Sequence, residues 1–240
     1  MKKINVKLIA AVAVAVAGTA ISGMATVTYL PFSGLAPYPN GNDVLIENYY
    51  DGGTDSAGYT GPNYGITFSS NALLLCLNSL SVDCSNTSKG GLGNPESQEG
   101  ALFWLSGPST YMNDAGGFTT GFSFTYTDPY TSGASISVWS GLNGTGTELT
   151  TLSLPLTPNG TYACPGYGAG FCPFEPIGVT FSGTAESISF NGTANQVVYD
   201  DITFGSSTPG AIPEPGSLSL LGTGLIGLAS KLLRRRESHS

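Results

Sequence analysis

The 240-residue sequence is poor in charged side chains, which make up only 10% of it. Soluble domains average about 25%, so a coiled coil, a long helical bundle and a charge-driven disordered chain are excluded. Basic residues are almost absent between the two ends, where Lys89 stands alone against fourteen acidic residues. A nucleic-acid-binding surface needs cations that neutralise phosphates, so that class is excluded as well.

Histidine is also nearly missing, because His239 is the single one and lies next to the C-terminus. Ser-His-Asp, Cys-His and histidine-based metal chemistry are therefore excluded from the central part of the chain. Paired carboxylates, as in a glycosidase, remain the one catalytic option. We expect most of the acids to be solvated, so the sequence predicts a protein that is not an enzyme.

The N-terminus has the layout of a secretory signal peptide. Three lysines within residues 1–7 precede the apolar run 8–17, and small residues follow it. This order predicts a signal-peptide helix over residues 1–25, removed after Ala25 or after Ala20. The alternative is a retained membrane anchor.

The C-terminus predicts a short transmembrane helix. Residues 218–233 form an apolar, glycine-rich stretch of sixteen residues, followed by Arg234, Arg235 and Arg236. This is shorter than the ~20 residues usually needed, but snorkelling lysine and local thinning of the bilayer can make up the difference. The arginines should stay on the cytoplasmic side, which places the central part of the precursor outside.

Directly before this stretch stands Pro213-Glu214-Pro215, and the two prolines favour an extended, accessible segment. The tripeptide, the apolar helix and the arginine cluster together resemble the PEP-CTERM sorting signal of Gram-negative bacteria that make extracellular polysaccharide. The resemblance implies processing near the tripeptide by an exosortase, an integral-membrane cysteine enzyme. A plain C-terminal anchor with a proline-rich stalk is the alternative.

The middle of the chain has a β pattern. Aromatic and small polar residues alternate over 118–127, which is typical of a half-buried strand. Asn-Gly pairs such as Asn143-Gly144 predict tight turns between antiparallel strands. We therefore expect an all-β, antiparallel, two-sheet jelly-roll-like sandwich over residues 26–208, with the sorting signal over 209–240. Further strands are predicted at residues 44–50, 64–68, 72–77, 101–105, 135–140, 148–154, 177–181, 187–190 and 196–204.

Four cysteines predict two disulfides in an exported chain: Cys76, Cys84, Cys164 and Cys172. Three connectivities are possible, and we favour Cys76–Cys84 with Cys164–Cys172 because each pair closes a short local loop. A zinc site is the alternative, but the cysteines lack close spacing and a nearby histidine.

Oxygen-rich stretches next to predicted strands favour a calcium site, since calcium takes six to eight oxygen ligands. The candidate ligands are Asp43, Asp51, Asp55, Asp200 and Asp201. Asp200 and Asp201 are adjacent in a predicted strand, so we expect them to point to opposite faces.

Aromatic side chains could stack against sugars. Trp104 and Trp139 lie on predicted strands, where large rings more often belong to the core. Tyr130, Tyr162 and Tyr167 lie in loop-like stretches and are better candidates for carbohydrate binding.

These patterns predict a non-catalytic, structural or adhesive protein of the cell envelope or extracellular matrix. Its expected partners are the secretion machinery, an exosortase, the membrane before processing, and extracellular polysaccharide. A secreted carbohydrate-active hydrolase with paired carboxylates is the alternative.

Overall fold

The computed structural model describes residues 27–32, 35, 43–75, 100–159 and 171–210. The predicted signal peptide, the Pro-Glu-Pro tripeptide, the apolar stretch and the arginines lie outside these residues, and the predicted domain limits stay a prediction. Within the described part, no helix is long and apolar enough to span a bilayer. Twelve strands are present there: β1 (Thr28–Leu30), β2 (Val44–Leu45), β3 (Ile66–Phe68), β4 (Leu73–Leu75), β5 (Ala101–Phe103), β6 (Ser109–Phe118), β7 (Gly121–Thr127), β8 (Ser135–Gly141), β9 (Thr145–Ser153), β10 (Glu175–Thr180), β11 (Ala185–Asn191) and β12 (Val198–Phe204).

The strands form two antiparallel sheets. The seven-stranded sheet has the order β10-β7-β12-β5-β4-β2, with β1 also pairing with β12, and the five-stranded sheet has the order β3-β6-β11-β8-β9. Most neighbours within a sheet are distant in sequence, as expected for a jelly-roll-like arrangement. The predicted all-β class and two-sheet architecture are confirmed.

Aromatic rings fill the space between the sheets. Phe190 on β11 packs edge to face against Tyr199 on β12, with ring centroids 4.7 Å apart. Phe118 and Phe204 make a second contact of this kind at 4.8 Å and 85°. Such pairs add to the free energy gained from burying large rings, so they join the two sheets into one core.

The prediction of a half-buried strand at 118–127 is wrong in its burial. All seven residues of β7 are buried, including Ser123 and Thr125, which alternate with the core-facing phenylalanines. The chain after β12 covers the outer side of this strand at its Gly121–Ser123 end, and the Asp201 carboxylate contacts Thr125. The carbonyl oxygen of Ser207 would lie 2.2 Å from a Cβ placed on Gly178 of neighbouring β10, so only glycine fits there.

Two local predictions also differ from the structure. Strand β6 was not predicted, because Asn113, Asp114 and two glycines give its second half the composition of a turn. The predicted strand at 44–50 ends at Leu45, since Glu47 has a φ of 50° and the chain turns there.

Candidate functional site

Aromatic and polar side chains lie together on the outer face of the five-stranded sheet. Ile136 and Val138 of β8 point into the core, so their alternating neighbours face outward. We call this surface the Trp139 face, and it consists of Tyr111, Asn113, Trp139, Asn143 and Ser189.

The indole of Trp139 is held over the sheet. Its Nε1 donates a hydrogen bond of 3.2 Å to Oγ of Ser189, on the neighbouring strand β11. Ser187, which pairs directly with Trp139, is fully buried, while Trp139 itself is only half-buried. The ring is therefore fixed in position and still accessible to solvent.

The turn between β8 and β9 closes one side of this face. A 3-10 turn at Leu142–Gly144 contains Asn143 in the left-handed region, at a φ of 56°, so the tight turn predicted from Asn143-Gly144 is present. Asn113 Nδ2 donates to Asn143 Oδ1 at 2.9 Å, and the Asn143 amide donates to Asn113 Oδ1 at 2.7 Å. These reciprocal bonds fix the turn against strand β6.

The glycine in this turn is needed for close packing. Gly144 has a φ of 69°, and a Cβ there would stand 2.6 Å from Cε1 of Tyr111. The Gly144 amide also donates to Ser187 Oγ at 3.0 Å. The turn consequently packs its backbone against Tyr111 and forms a wall of the Trp139 face.

This arrangement combines a rigid, half-buried ring with the exposed side chain of Asn143, whereas Asn113 and Ser189 are buried and hydrogen-bonded within the protein. Aromatic rings offer an apolar surface on which the C–H groups of a sugar can stack, and amides and hydroxyls can exchange hydrogen bonds with its hydroxyl groups. The described residues contain no lysine, arginine or histidine, so the described part of the protein offers no side-chain cation for an anionic ligand.

Of the three tyrosines predicted to bind carbohydrate, Tyr130 is described, and it does not belong to the Trp139 face. Tyr130 is 53% exposed and packs edge to face against Phe171, with centroids 5.2 Å apart. Tyr162 and Tyr167 lie outside the described residues. A role of these three tyrosines in binding stays a prediction.

Asp200 and Asp201 are both buried, and the strict alternation predicted for them is broken. The pairing of β12 with β7 shifts between Asp200 and Thr203, and Asp201 has a φ of 52°. The Asp201 carboxylate accepts hydrogen bonds from the hydroxyl of Tyr29 and, at 3.1 Å, from Oγ1 of Thr125. It thereby connects β12 to β1 and to β7, two of the three strands with which β12 pairs.

Of the other predicted calcium ligands, Asp43 directly precedes β2, and Asp51 and Asp55 lie in the loop that follows it. Asp55 is buried, and its Oδ1 accepts the amides of Ala57 and Tyr59, both at 2.9 Å. Asp43 and Asp51 are exposed. No group of three or more His, Cys, Asp or Glu side chains that could hold a metal ion occurs among the described residues. A calcium site that uses one or two of these aspartates with amide and carbonyl oxygens stays a prediction.

One of the four cysteines lies within the described residues. Cys172 is buried and disulfide-bonded. Cys76, Cys84 and Cys164 lie outside them, so the favoured pairing stays a prediction.

Sequence reasoning considered Trp139 for stacking against sugars but favoured the core for it, and it did not single out Tyr111. Trp104 follows the expectation for a strand aromatic, since it is fully buried and stacks on Tyr199. Trp139 differs from that expectation, because it is only half-buried. Tyr111 lies on β6, the strand that was not predicted. The alternation of Ile136 and Val138 with Trp139 was the available signal, because it places the tryptophan opposite the apolar face.

Comparisons with known proteins identify the C-terminal segment. The family model of the PEP-CTERM protein-sorting motif matches residues 211–236. The chain therefore carries this sorting motif, and the resemblance seen in Pro213, Glu214, Pro215 and the arginine cluster is confirmed. The motif implies an exported, membrane-anchored precursor that an exosortase processes.

The sandwich itself has more distant similarities. Among solved structures, a mutant of a family 29 carbohydrate-binding module matches with 13% identity and a TM-score of 0.30, over 74% of this chain and 85% of the module. A search of curated proteins gives no match.

Proposed function

We propose that the protein is a non-catalytic module of the cell envelope or extracellular matrix of a Gram-negative bacterium, where it binds extracellular polysaccharide through the Trp139 face. The sorting motif provides the route to the cell surface. The observation that carries the binding role is the half-buried indole of Trp139, fixed by Ser189 and walled by the Asn143 turn.

The geometry favours a neutral or cationic polysaccharide. A sheet face with one fixed ring and the exposed side-chain amide of Asn143 beside it suits a chain of sugar rings better than a small compact ligand. The Trp139 face has no side-chain cation, so a uronic-acid or sulfated glycan would find no counter-charge on it.

The competing proposal is a hydrolase that uses two carboxylates. Among the described residues, Asp114 and Glu186 are one pair of neighbouring acids, because the charge of Glu186 adds to burial in raising the pKa of Asp114. However, Oδ1 of Asp114 accepts the amides of Gly116 and Gly117 at 2.9 and 3.2 Å, which is a turn-forming role. This contact favours a non-catalytic protein.

Cosedimentation with insoluble polysaccharide tests the proposal. Full-length protein in detergent is mixed with cellulose, with chitin and with extracellular polysaccharide from the producing cells, and released sugars are assayed in the same tubes. We expect retention without sugar release, and a loss of roughly tenfold in affinity for Trp139→Ala, since stacking on one ring contributes about 1–1.5 kcal/mol.

Two variants serve as controls in this experiment. Trp139→Phe keeps a ring and should retain most of the binding. Tyr130→Ala removes the exposed ring at the other candidate position and should leave polysaccharide binding unchanged. Loss of binding in Tyr130→Ala but not in Trp139→Ala would move the site to the predicted tyrosines, and sugar release would replace the proposal by the hydrolase.

A further inference from the structure

A groove separate from the Trp139 face lies beside the ends of β6 and β12. Its volume is about 340 Å³, and its walls include Thr28, Tyr64, Asp114, Phe118, Thr119 and Phe204. Small-molecule sites range from about 300 to 1,000 Å³, so the groove has room for one small ring. Its lining combines rings, hydroxyls and a single carboxylate.

Tyr64 provides a flat platform at this groove. Its ring stacks on Tyr50 with centroids 6.1 Å apart and an angle of 14° between the planes. The Tyr64 amide donates to the Tyr50 carbonyl at 2.8 Å. Tyr50 is buried whereas Tyr64 is 49% exposed, so one face of the Tyr64 ring is supported by the protein and the ring remains open to solvent.

Asp114 is held in place by the backbone of the same groove. Both hydrogen bonds from Gly116 and Gly117 go to Oδ1, and no described residue donates to Oδ2. Gly117 has a φ of 73°, and a Cβ there would lie 2.5 Å from Cγ2 of Thr184. A side chain at position 117 would therefore be strained, and Oδ2 of Asp114 is left for a ligand.

The charge around the groove is negative. Burial raises the pKa of Asp114, and the neighbouring Glu186 raises it further, while the two glycine amides lower it. The described residues include eleven acids and no lysine, arginine or histidine. A ligand that brings its own positive charge would lower this repulsion, because an opposite charge within ~4–6 Å favours an ionised carboxylate.

We infer that this groove binds an amine-bearing sugar unit, whose ring stacks on Tyr64 and whose ammonium group pairs with Asp114. The inference goes beyond polysaccharide binding at the Trp139 face, because it assigns a second site on another part of the domain. Two separate sites would let one molecule hold two glycan chains.

Titration calorimetry on the full-length protein in detergent tests this site. The probes are a glucosamine tetramer, which carries ammonium groups, its fully N-acetylated counterpart, which carries none, and spermidine, which has charge without a ring. At a pH where the amines are protonated, and at physiological salt, we expect the glucosamine tetramer to bind at least tenfold more tightly than either of the others.

Variants separate the two contacts of the proposed site. Asp114→Asn keeps an oxygen for the glycine amides and should abolish the preference for the glucosamine tetramer. Glu175→Gln removes one charge from the other sheet and should preserve that preference. Tyr64→Ala should weaken the glucosamine tetramer at least tenfold, and Tyr64→Phe should restore it.

The possible contrary results are distinct. Equal affinity for the acetylated and deacetylated tetramers, or tight binding of spermidine, would overturn the inference. So would an equal effect of Asp114→Asn and Glu175→Gln, since that would indicate long-range attraction by net charge. Trp139→Ala should leave the preference for the glucosamine tetramer intact. The result at the groove is therefore independent of whether the Trp139 face binds polysaccharide.

Discussion

The two outer faces of the sandwich both carry buried polar residues, yet the face of the five-stranded sheet also carries an accessible ring. On the seven-stranded sheet, Ser123, Thr125, Asp200 and Asp201 are all buried. On the five-stranded sheet, the polar residues lie beneath or beside an accessible ring, that of Trp139. A polar outer face is therefore not evidence of a binding surface, because the chain itself can cover it.

The cover on the seven-stranded sheet is formed in part by the residues after β12. The Gly205 amide donates to the Gly121 carbonyl at 2.9 Å, and the Gly210 amide donates to Thr203 Oγ1 at 3.1 Å. The matched sorting motif begins at residue 211, directly after this segment. The covered face thus carries the last described residues before the sorting motif, whereas the Trp139 face lies on the other sheet.

The largest effect should come from removing the buried carboxylate of the covered face. Asp201→Ala leaves the hydroxyls of Tyr29 and Thr125 without this acceptor. Hydrogen bonds to charged groups contribute about 1.5–3 kcal/mol each, so we expect the free energy of unfolding to fall by roughly 3 kcal/mol or more. Urea denaturation measures this change.

Two variants control for that prediction. In Asp201→Asn, the asparagine tolerates the left-handed backbone and keeps a hydrogen-bond acceptor, so the free energy of unfolding should fall much less. Ser137→Ala removes a polar group from the opposite outer face, where its hydroxyl meets that of Thr151 at 2.9 Å, and should cost about 1 kcal/mol. Equal losses for Asp201→Ala and Ser137→Ala would contradict the comparison.

A smaller effect should follow from adding a methyl group under the cover. Gly178→Ala places a Cβ 2.2 Å from the Ser207 carbonyl oxygen and 2.7 Å from Ser123 Cβ. Overpacking of this kind costs about 1–3 kcal/mol, and the segment after β12 should be displaced. Thermal unfolding and proteolysis at residues 205–210 measure both results.

The control for this prediction lies on the same strand. Thr180→Ala changes an exposed side chain of β10 and should leave stability and proteolysis near those of the parent. A Gly178→Ala protein with unchanged stability and an uncut segment would show that residues 205–210 do not cover the sheet.

The smallest expected effect concerns the link between the two sheets. The hydroxyl of Tyr126 on β7 donates to the carbonyl of Pro155, which follows β9, at 2.7 Å. Tyr126→Phe removes this bond and should cost about 1 kcal/mol. Burial, followed by the charges of Asp128 and Glu175, raises the pKa of Tyr126 to about 12.

This raised pKa predicts a dependence of stability on alkaline pH. Between the ordinary tyrosine pKa near 10 and the folded-state value of about 12, the unfolded chain loses the proton first. The free energy of unfolding should therefore be fully retained below pH ~10 and fall as pH rises through this window. Tyr126→Phe should show a shallower fall, and an identical slope in both proteins would contradict this assignment.

The sequence was sufficient to predict the fold class, because strand alternation and Asn-Gly turns are local signals. It was insufficient for burial, because whether Ser123 and Thr125 are covered depends on a segment about eighty residues away. It also failed at β6, where Asn113 and Asp114 are turn formers that tertiary pairing keeps in a strand.

The candidate site was predicted less well than the fold for the same reason. Tryptophan on a strand is usually a core residue, and only the assignment of β8 to an outer position separates Trp139 from Trp104. The sorting motif was predicted in full, because its function resides in a short contiguous segment whose parts are recognised by order and spacing.

Hydrogen–deuterium exchange of the full-length protein with and without bound polysaccharide tests the central claim most directly, because it reports both outer faces at once. The account predicts slower exchange at residues 139–144 and at residues 187–191 of β11, with no change at residues 123–127 and 199–202. Protection confined to the seven-stranded sheet, with residues 139–144 unaffected, would contradict it.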